Sequence, residues 1–133
     1  MEKFSCREFY VLSSLGFGNT SFNFKASSKS KTYRYRGQVE VDSVIICGDQ
    51  LFVVEAKSSS RRTFPSIFKF KIGFSAKAVA EAVGREVYPI LALQKKTSRF
   101  EYVVLFLDRV KPFETCIFDR MSVEKIYAYT INT

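Results

Sequence analysis

Val39-Glu40-Val41-Asp42-Ser43-Val44-Ile45-Ile46-Cys47-Gly48-Asp49-Gln50-Leu51-Phe52-Val53-Val54-Glu55-Ala56-Lys57 is the stretch on which the fold turns. Two runs rich in Val, Ile and Phe flank Gly48-Asp49, a pair suited to a two-residue hairpin turn with Gly at its first central position. That turn places Asp42 opposite Glu55 and Glu40 opposite Lys57, and opposed residues share a face of the sheet. One face carries Val44, Ile46, Leu51 and Val53, and the other Val41, Ile45, Phe52 and Val54. Strands apolar on both faces are central strands covered on both sides. Two carboxylates facing each other there repel and are poorly solvated. A divalent cation between them relieves both problems.

Outward from the hairpin, the charge map becomes one-sided. The chain of 133 residues carries a net charge of +8, which favours an acidic partner. Lys25, Lys29, Lys31, Arg34 and Arg36 precede the hairpin without an acid among residues 25–36. Lys57, Arg61, Arg62, Lys69, Lys71 and Lys77 follow it, again without an acid among residues 57–77. The same pairing sets Arg36 opposite Arg61, so both basic segments are expected to leave the hairpin at its carboxylate end. Cations around a carboxylate pair suit a phosphodiester, which needs positive charge along its backbone and a metal at the scissile bond. The expected nucleic-acid contacts are Lys29, Lys31, Arg34, Arg36, Arg61, Arg62, Lys69 and Lys71.

The remaining segments suggest a frame for this hairpin. Phe4, Val11, Leu12 and Leu15 recur at helical spacing and predict a helix over 2–15, with Glu8 inside its apolar stripe. Gly16, Gly18 and Asn19 read as its terminator, and residues 20–26 as a short strand. A helix is expected within 66–85, with strands at 87–93, 102–107, 117–118 and 127–131 and a short helix near 122–126. The order gives an α/β domain, a mixed sheet flanked by helices on both faces, with residues 1–133 as a single domain. Phe64, Phe68, Phe70 and Phe74 read as core packing rather than base stacking, and Tyr33 and Tyr35 as strand residues.

Composition excludes several chemistries. There is no His, which removes His-based triads and HExxH zinc sites. Cys6, Cys47 and Cys116 have no metal-ligand spacing. Cys47 and Cys116 read as buried thiols in a reducing cytoplasm. No apolar run reaches the roughly 18 residues of a membrane span, and the start of the chain lacks the pattern of a signal peptide. A cytoplasmic, non-membrane protein is expected.

Asp42, twelve intervening residues and then Glu55-Ala56-Lys57 resemble the D-(x)n-(D/E)-x-K motif of the PD-(D/E)XK nuclease superfamily. The predicted helix, hairpin, helix and strand over residues 2–94 resemble its restriction-endonuclease-like core, most closely that of archaeal Holliday-junction resolvases. Val41 stands where the family motif has Pro, and Glu40 makes an E-x-D variant that resembles restriction and repair members. The resemblance implies a Mg²⁺- or Mn²⁺-dependent DNA endonuclease acting as a homodimer on branched or duplex DNA. Asp42, Glu55, the Ala56 carbonyl and Glu8 would hold the metal. Lys57 would stabilise the transition state or orient water, and Glu40 would hold Lys57 or join the metal shell. Bland roles stay open beside these: a Glu40–Lys57 surface pair, and Glu8 paired in solvent with Lys3 or Arg7. A restriction or defence nuclease, a non-catalytic DNA-binding module and an RNA-acting nuclease are the alternatives.

Overall fold

The hairpin forms the centre of a seven-stranded sheet in the computed structural model, which describes residues 9–59, 66–96, 100–117, 121 and 123–131. In chain order the elements are β1 (Phe9–Lys25), β2 (Tyr33–Cys47), β3 (Gln50–Ser59), α1 (Ser66–Val83), β4 (Tyr88–Lys96), β5 (Phe100–Leu107), β6 (Cys116–Ile117) and β7 (Val123–Ile131). The sheet runs β6-β1-β2-β3-β4-β5-β7. Neighbours are antiparallel except β3–β4 and β1–β6. The result is a mixed open sheet with a single helix among the described residues, mostly β, rather than a sheet with helices on both faces. No helix among the described residues is long and apolar enough to cross a membrane.

The hairpin turn falls at Gly48-Asp49, where Gly48 takes φ 63°, and the register follows the expected pairing from Cys47–Gln50 to Ser43–Val54. A strand parallel to β3 cannot follow it through a tight turn, so α1 crosses over to β4. It packs on β1, β2, β3 and β4. Ile72, Ala76, Val79 and Ala80 of the helix meet Val44, Leu51, Val53, Leu91 and Leu93 of the sheet. The small side chains of Ala76, Ala78 and Ala80, all buried, let helix and sheet approach closely. Gly84, at φ 67°, ends the helix and donates its N–H to the Ala80 carbonyl. On the opposite face Cys47, Phe52 and Ile90 pack with Ile45, Val54, Tyr88, Val104 and Phe106.

Several expectations are corrected here. Residues 9–15 are strand, not helix. Val11, Leu12 and Leu15 fit helical spacing while Phe9, Val11, Leu15 and Phe17 fit a period of two, and Ser13, Ser14, Gly16 and Gly18 are poor helix formers. Pairing decides between the two readings, because β1 covers the edge of β2 from Phe9–Cys47 to Phe24–Tyr33. Gly18 and Asn19 terminate no helix. They bulge from β1 between the pairs Phe17–Val39 and Thr20–Gly37. Residues 123–126 are strand rather than short helix, held against β5. Val41 joins the helix-side core rather than the opposite face. The β1–β2 ladder skips Ser14 and Asp42, Ser14 takes φ 55°, and the alternation of β2 shifts phase between Val41 and Val44. Cys47 is disulfide-bonded rather than a free thiol, whereas Cys116 is free. The spacing of cysteines along the chain does not reveal the proximity that such a bond requires.

Lys77, counted above among the basic flank, is fully buried. Its Nζ donates to the Lys111 carbonyl at 2.7 Å and lies 3.3 Å from Glu81 Oε2. Glu81 also accepts the Phe113 N–H. The pair therefore ties α1 to the segment before β6. Removing one member leaves the other charge without its counter-ion. Glu81→Ala is expected to cost about 3 kcal/mol in urea denaturation, with Lys77→Met-Glu81→Ala recovering much of the loss.

Candidate functional site

The backbone ladder of the hairpin ends at Ser43–Val54. Beyond it β3 stays paired with β4 as far as Ser59–Lys95, while β2 stays paired with β1. In the gap, the Ala56 N–H donates to Asp42 Oδ2 at 3.2 Å. A side-chain carboxylate has taken the place of a ladder carbonyl. Asp42 is exposed, and Glu55 is buried with 6% of its surface accessible. Glu55 Oε1 accepts a hydrogen bond from Ser75 Oγ on α1 at 2.6 Å.

Burial pushes the Glu55 carboxyl above its ordinary value of 4.5, against the lowering effect of the Ser75 hydroxyl. A hydrogen bond with Asp42 and the Asp42 charge raise it further, and the positive charge of Lys57 pulls it down. Asp42 and Glu55 thus meet as two carboxyl groups, and the proximity of Asp42 favours the neutral form of Glu55. Lys57 is half-buried. Glu55 and Lys57 stand beside Leu91 and Leu93 of β4, both in the helix-side core, so alternation sets the two charged side chains on that face. The structure thus brings Asp42, Glu55 and Lys57 together and adds Ser75.

Glu40 goes elsewhere. Its neighbours Val39 and Val41 are buried in the helix-side core, so alternation turns Glu40 to the opposite face. Its ladder partner is Gly16, and the expected opposition to Lys57 does not form, because β2 and β3 have already parted. Glu40 and Asp42 do share a cleft of about 200 Å³ with Ser14 and Gly16. Glu8 lies outside the described residues. Ala56 is exposed beside the pair. Among the described residues no group of three or more His, Cys, Asp or Glu side chains is arranged to hold a metal. Among the described residues, the carboxylates at this point are Asp42 and Glu55, with Glu40 in the adjoining cleft.

The basic residues do not form one rim. Lys29 and Lys31 are exposed in the turn between β1 and β2, with Lys31 Nζ 5.5 Å from the centre of the Tyr33 ring. Tyr35 packs on Phe22 and Phe74 at the helix side, so Arg34 and Arg36 project from the face away from α1. Arg34 Nη1 donates to Asn23 Oδ1 at 3.2 Å, and Arg36 faces Ser21 of β1. Arg61 and Arg62 lie outside the described residues. Lys69 and Lys71 are on α1, and Lys71 is exposed. Phe70 and Phe74 pack against the core, as expected of them, while Phe64 lies outside the described residues.

Ser75 is the residue that sequence reasoning missed. Its signal is a hydroxyl within the buried stripe Ile72, Ser75, Ala76 and Val79, where a polar group needs a partner. No protein-family model matches the chain, and comparison with curated proteins and with solved structures returned no significant match.

Because Glu55 binds its proton more tightly in the folded state, stability falls as pH rises from the ordinary carboxylate value through the raised one. Glu55→Gln is expected to unfold at higher urea concentration than the wild type at pH 7. The difference should shrink towards zero as the pH falls below the ordinary carboxylate value of 4.5, where the folded and unfolded wild type both carry the proton.

Proposed function

We propose that the chain is a divalent-metal-dependent endonuclease that hydrolyses phosphodiester bonds in DNA. The observation that carries this reading is the Asp42–Glu55 carboxylate pair at the parting of β2 and β3, with Lys57 on the face of Glu55. The order β1-β2-β3-α1-β4, with β3 antiparallel to β2 and parallel to β4, supports a restriction-endonuclease-like core of the PD-(D/E)XK type. The helix expected before the hairpin is no part of this support, since residues 9–15 are strand.

The donor set fits Mg²⁺ or Mn²⁺. Asp42 and Glu55 offer hard oxygens whose mutual repulsion a doubly charged cation would relieve. Mg²⁺ is commonly held by one or two carboxylates, with waters and substrate phosphates completing its shell. Asp42, Glu55 and the Ala56 carbonyl would hold it, with Glu8 as the fourth candidate. Such a cation supplies charge stabilisation at a phosphoryl oxygen and a more acidic water. The chain's own residues do the rest. Ser75 fixes one oxygen of Glu55 and so aims the other. The Ala56 N–H orients Asp42. Lys57 brings an ammonium to the face on which the phosphoryl group gathers negative charge. Glu40 lines the small cleft with Asp42 and is not paired in the ladder with Lys57. A homodimer places two such sites on two strands of duplex or branched DNA.

A second reading has one observation in its favour. With two side-chain carboxylates and no third acidic or thiolate ligand among the described residues, the pair is a sparse metal site. That favours a DNA-binding module that retains the fold without cleavage.

Supercoiled plasmid and four-way junctions incubated with Mg²⁺ separate the two. Cleavage by the wild type is expected to vanish on chelation and in Asp42→Ala and Glu55→Ala, and to fall about 10²- to 10³-fold in Lys57→Ala. Equal cleavage by the two carboxylate variants sinks the nuclease reading, and binding without cleavage by the wild type selects the module.

A further inference from the structure

The bulge between β1 and β2 opens a cleft of about 570 Å³ on whose wall Gly18, Asn19, Ser21, Arg36 and Gln38 stand. The ladder passes from Phe17–Val39 to Thr20–Gly37, so Gly18 and Asn19 together oppose Gln38 and none of the three has a ladder partner. Asn19 takes φ 56°. Gly37, at φ 153°, has no room for a side chain, since a Cβ there would lie 2.9 Å from the Tyr35 hydroxyl. Nothing lies within 4 Å of a Cβ placed on Gly18, so the bulge backbone stands open. Arg36 is exposed and makes no hydrogen bond or ion pair with another described residue. Directly opposite it in the ladder is Ser21, whose Oγ is buried with no hydrogen-bond partner. No carboxylate lines the cleft.

An uncommitted guanidinium, an unsatisfied hydroxyl and open backbone, in a cleft whose lining holds no carboxylate, call for an anion with several acceptor oxygens. We propose that this cleft is a phosphate-binding site, in which Arg36 and Ser21 take a backbone phosphate of double-stranded DNA. The choice of DNA rests on the nuclease reading above. Arg36, Gln38 and Glu40 alternate along one face of β2 towards Asp42. At roughly 3.3 Å per residue, Arg36 lies about 20 Å from Asp42, the length of about six base pairs along a duplex axis. The cleft would hold the duplex at a distance from the carboxylate pair and set its register there.

The test is the anisotropy of a labelled duplex titrated with protein in EDTA over a range of salt, so that cleavage plays no part. Arg36→Ala and Arg36→Gln should each weaken binding about fivefold or more and lower the slope of log affinity against log salt by about one. Arg109→Ala removes the same charge from a half-exposed side chain paired with Glu86, and should change affinity less than about twofold. Ser21→Ala should weaken binding with the slope unchanged. Equal losses for Arg36→Ala and Arg109→Ala would mean that only net charge matters and would overturn the site, as would wild-type affinity in Arg36→Ala. A wild type that binds with this pattern but never cleaves with Mg²⁺ overturns the nuclease reading and leaves the cleft standing.

Discussion

The hydrogen bond from the Ala56 N–H to the Asp42 carboxylate is the point on which the structure hinges. Strand β3 has two neighbours of opposite direction, β2 antiparallel and β4 parallel. It follows β4 to Ser59, but it leaves β2 after Val54. A backbone donor stranded by that departure must find an acceptor, and Asp42 supplies one at 3.2 Å. The same residue sits where β2 changes phase, between Val41 and Val44, which both pack into the helix-side core. One aspartate thus closes a gap in the ladder and brings a carboxylate next to Glu55.

The closeness of α1 sets the surroundings of Glu55. The buried alanines of the helix bring it down on β3, and the distance they allow puts the Ser75 hydroxyl 2.6 Å from Glu55. Glu55 is then buried by the helix, steadied by Ser75, repelled by Asp42 and attracted by Lys57. A bulkier helix face would widen this space and let water relieve the repulsion. The second buried charge of α1, Lys77, is satisfied within the fold by Glu81 and the Lys111 carbonyl. Lys77 is thus committed to holding α1 to the segment before β6.

The two faces of the sheet have different characters near this site. On the helix side lie Glu55, Lys57 and the aromatic packing of Phe22, Phe24, Tyr35 and Phe74. On the other lie Arg34, Arg36 and Glu40, a polar stripe along β2. Asp42, at the phase change, belongs to the gap between them. Arg34 and Arg36 therefore form a track along one strand on the face away from α1, in place of the expected single rim of lysines and arginines around the pair.

Local sequence determined the central hairpin. Gly48-Asp49 admits few turns, and apolar runs on both sides lock the register, because a slip by one residue would turn every side chain to the wrong face. The opposition of Asp42 and Glu55 was legible for that reason, as were β4, β5 and the helix after β3. Tertiary structure alone decided the rest. Residues 9–15 satisfy two periodicities, and only the open edge of β2 selects strand. Glu40 and Lys57 look opposed until β3 parts from β2 to stay with β4. Ser75 is one hydroxyl in a helix until packing sets it against Glu55, and Lys77 reads as a surface cation until the segment before β6 closes over it. Periodicity reports what a residue prefers along its own strand or helix, whereas partner choice depends on contacts between segments far apart in the chain, and those contacts decide which charges meet.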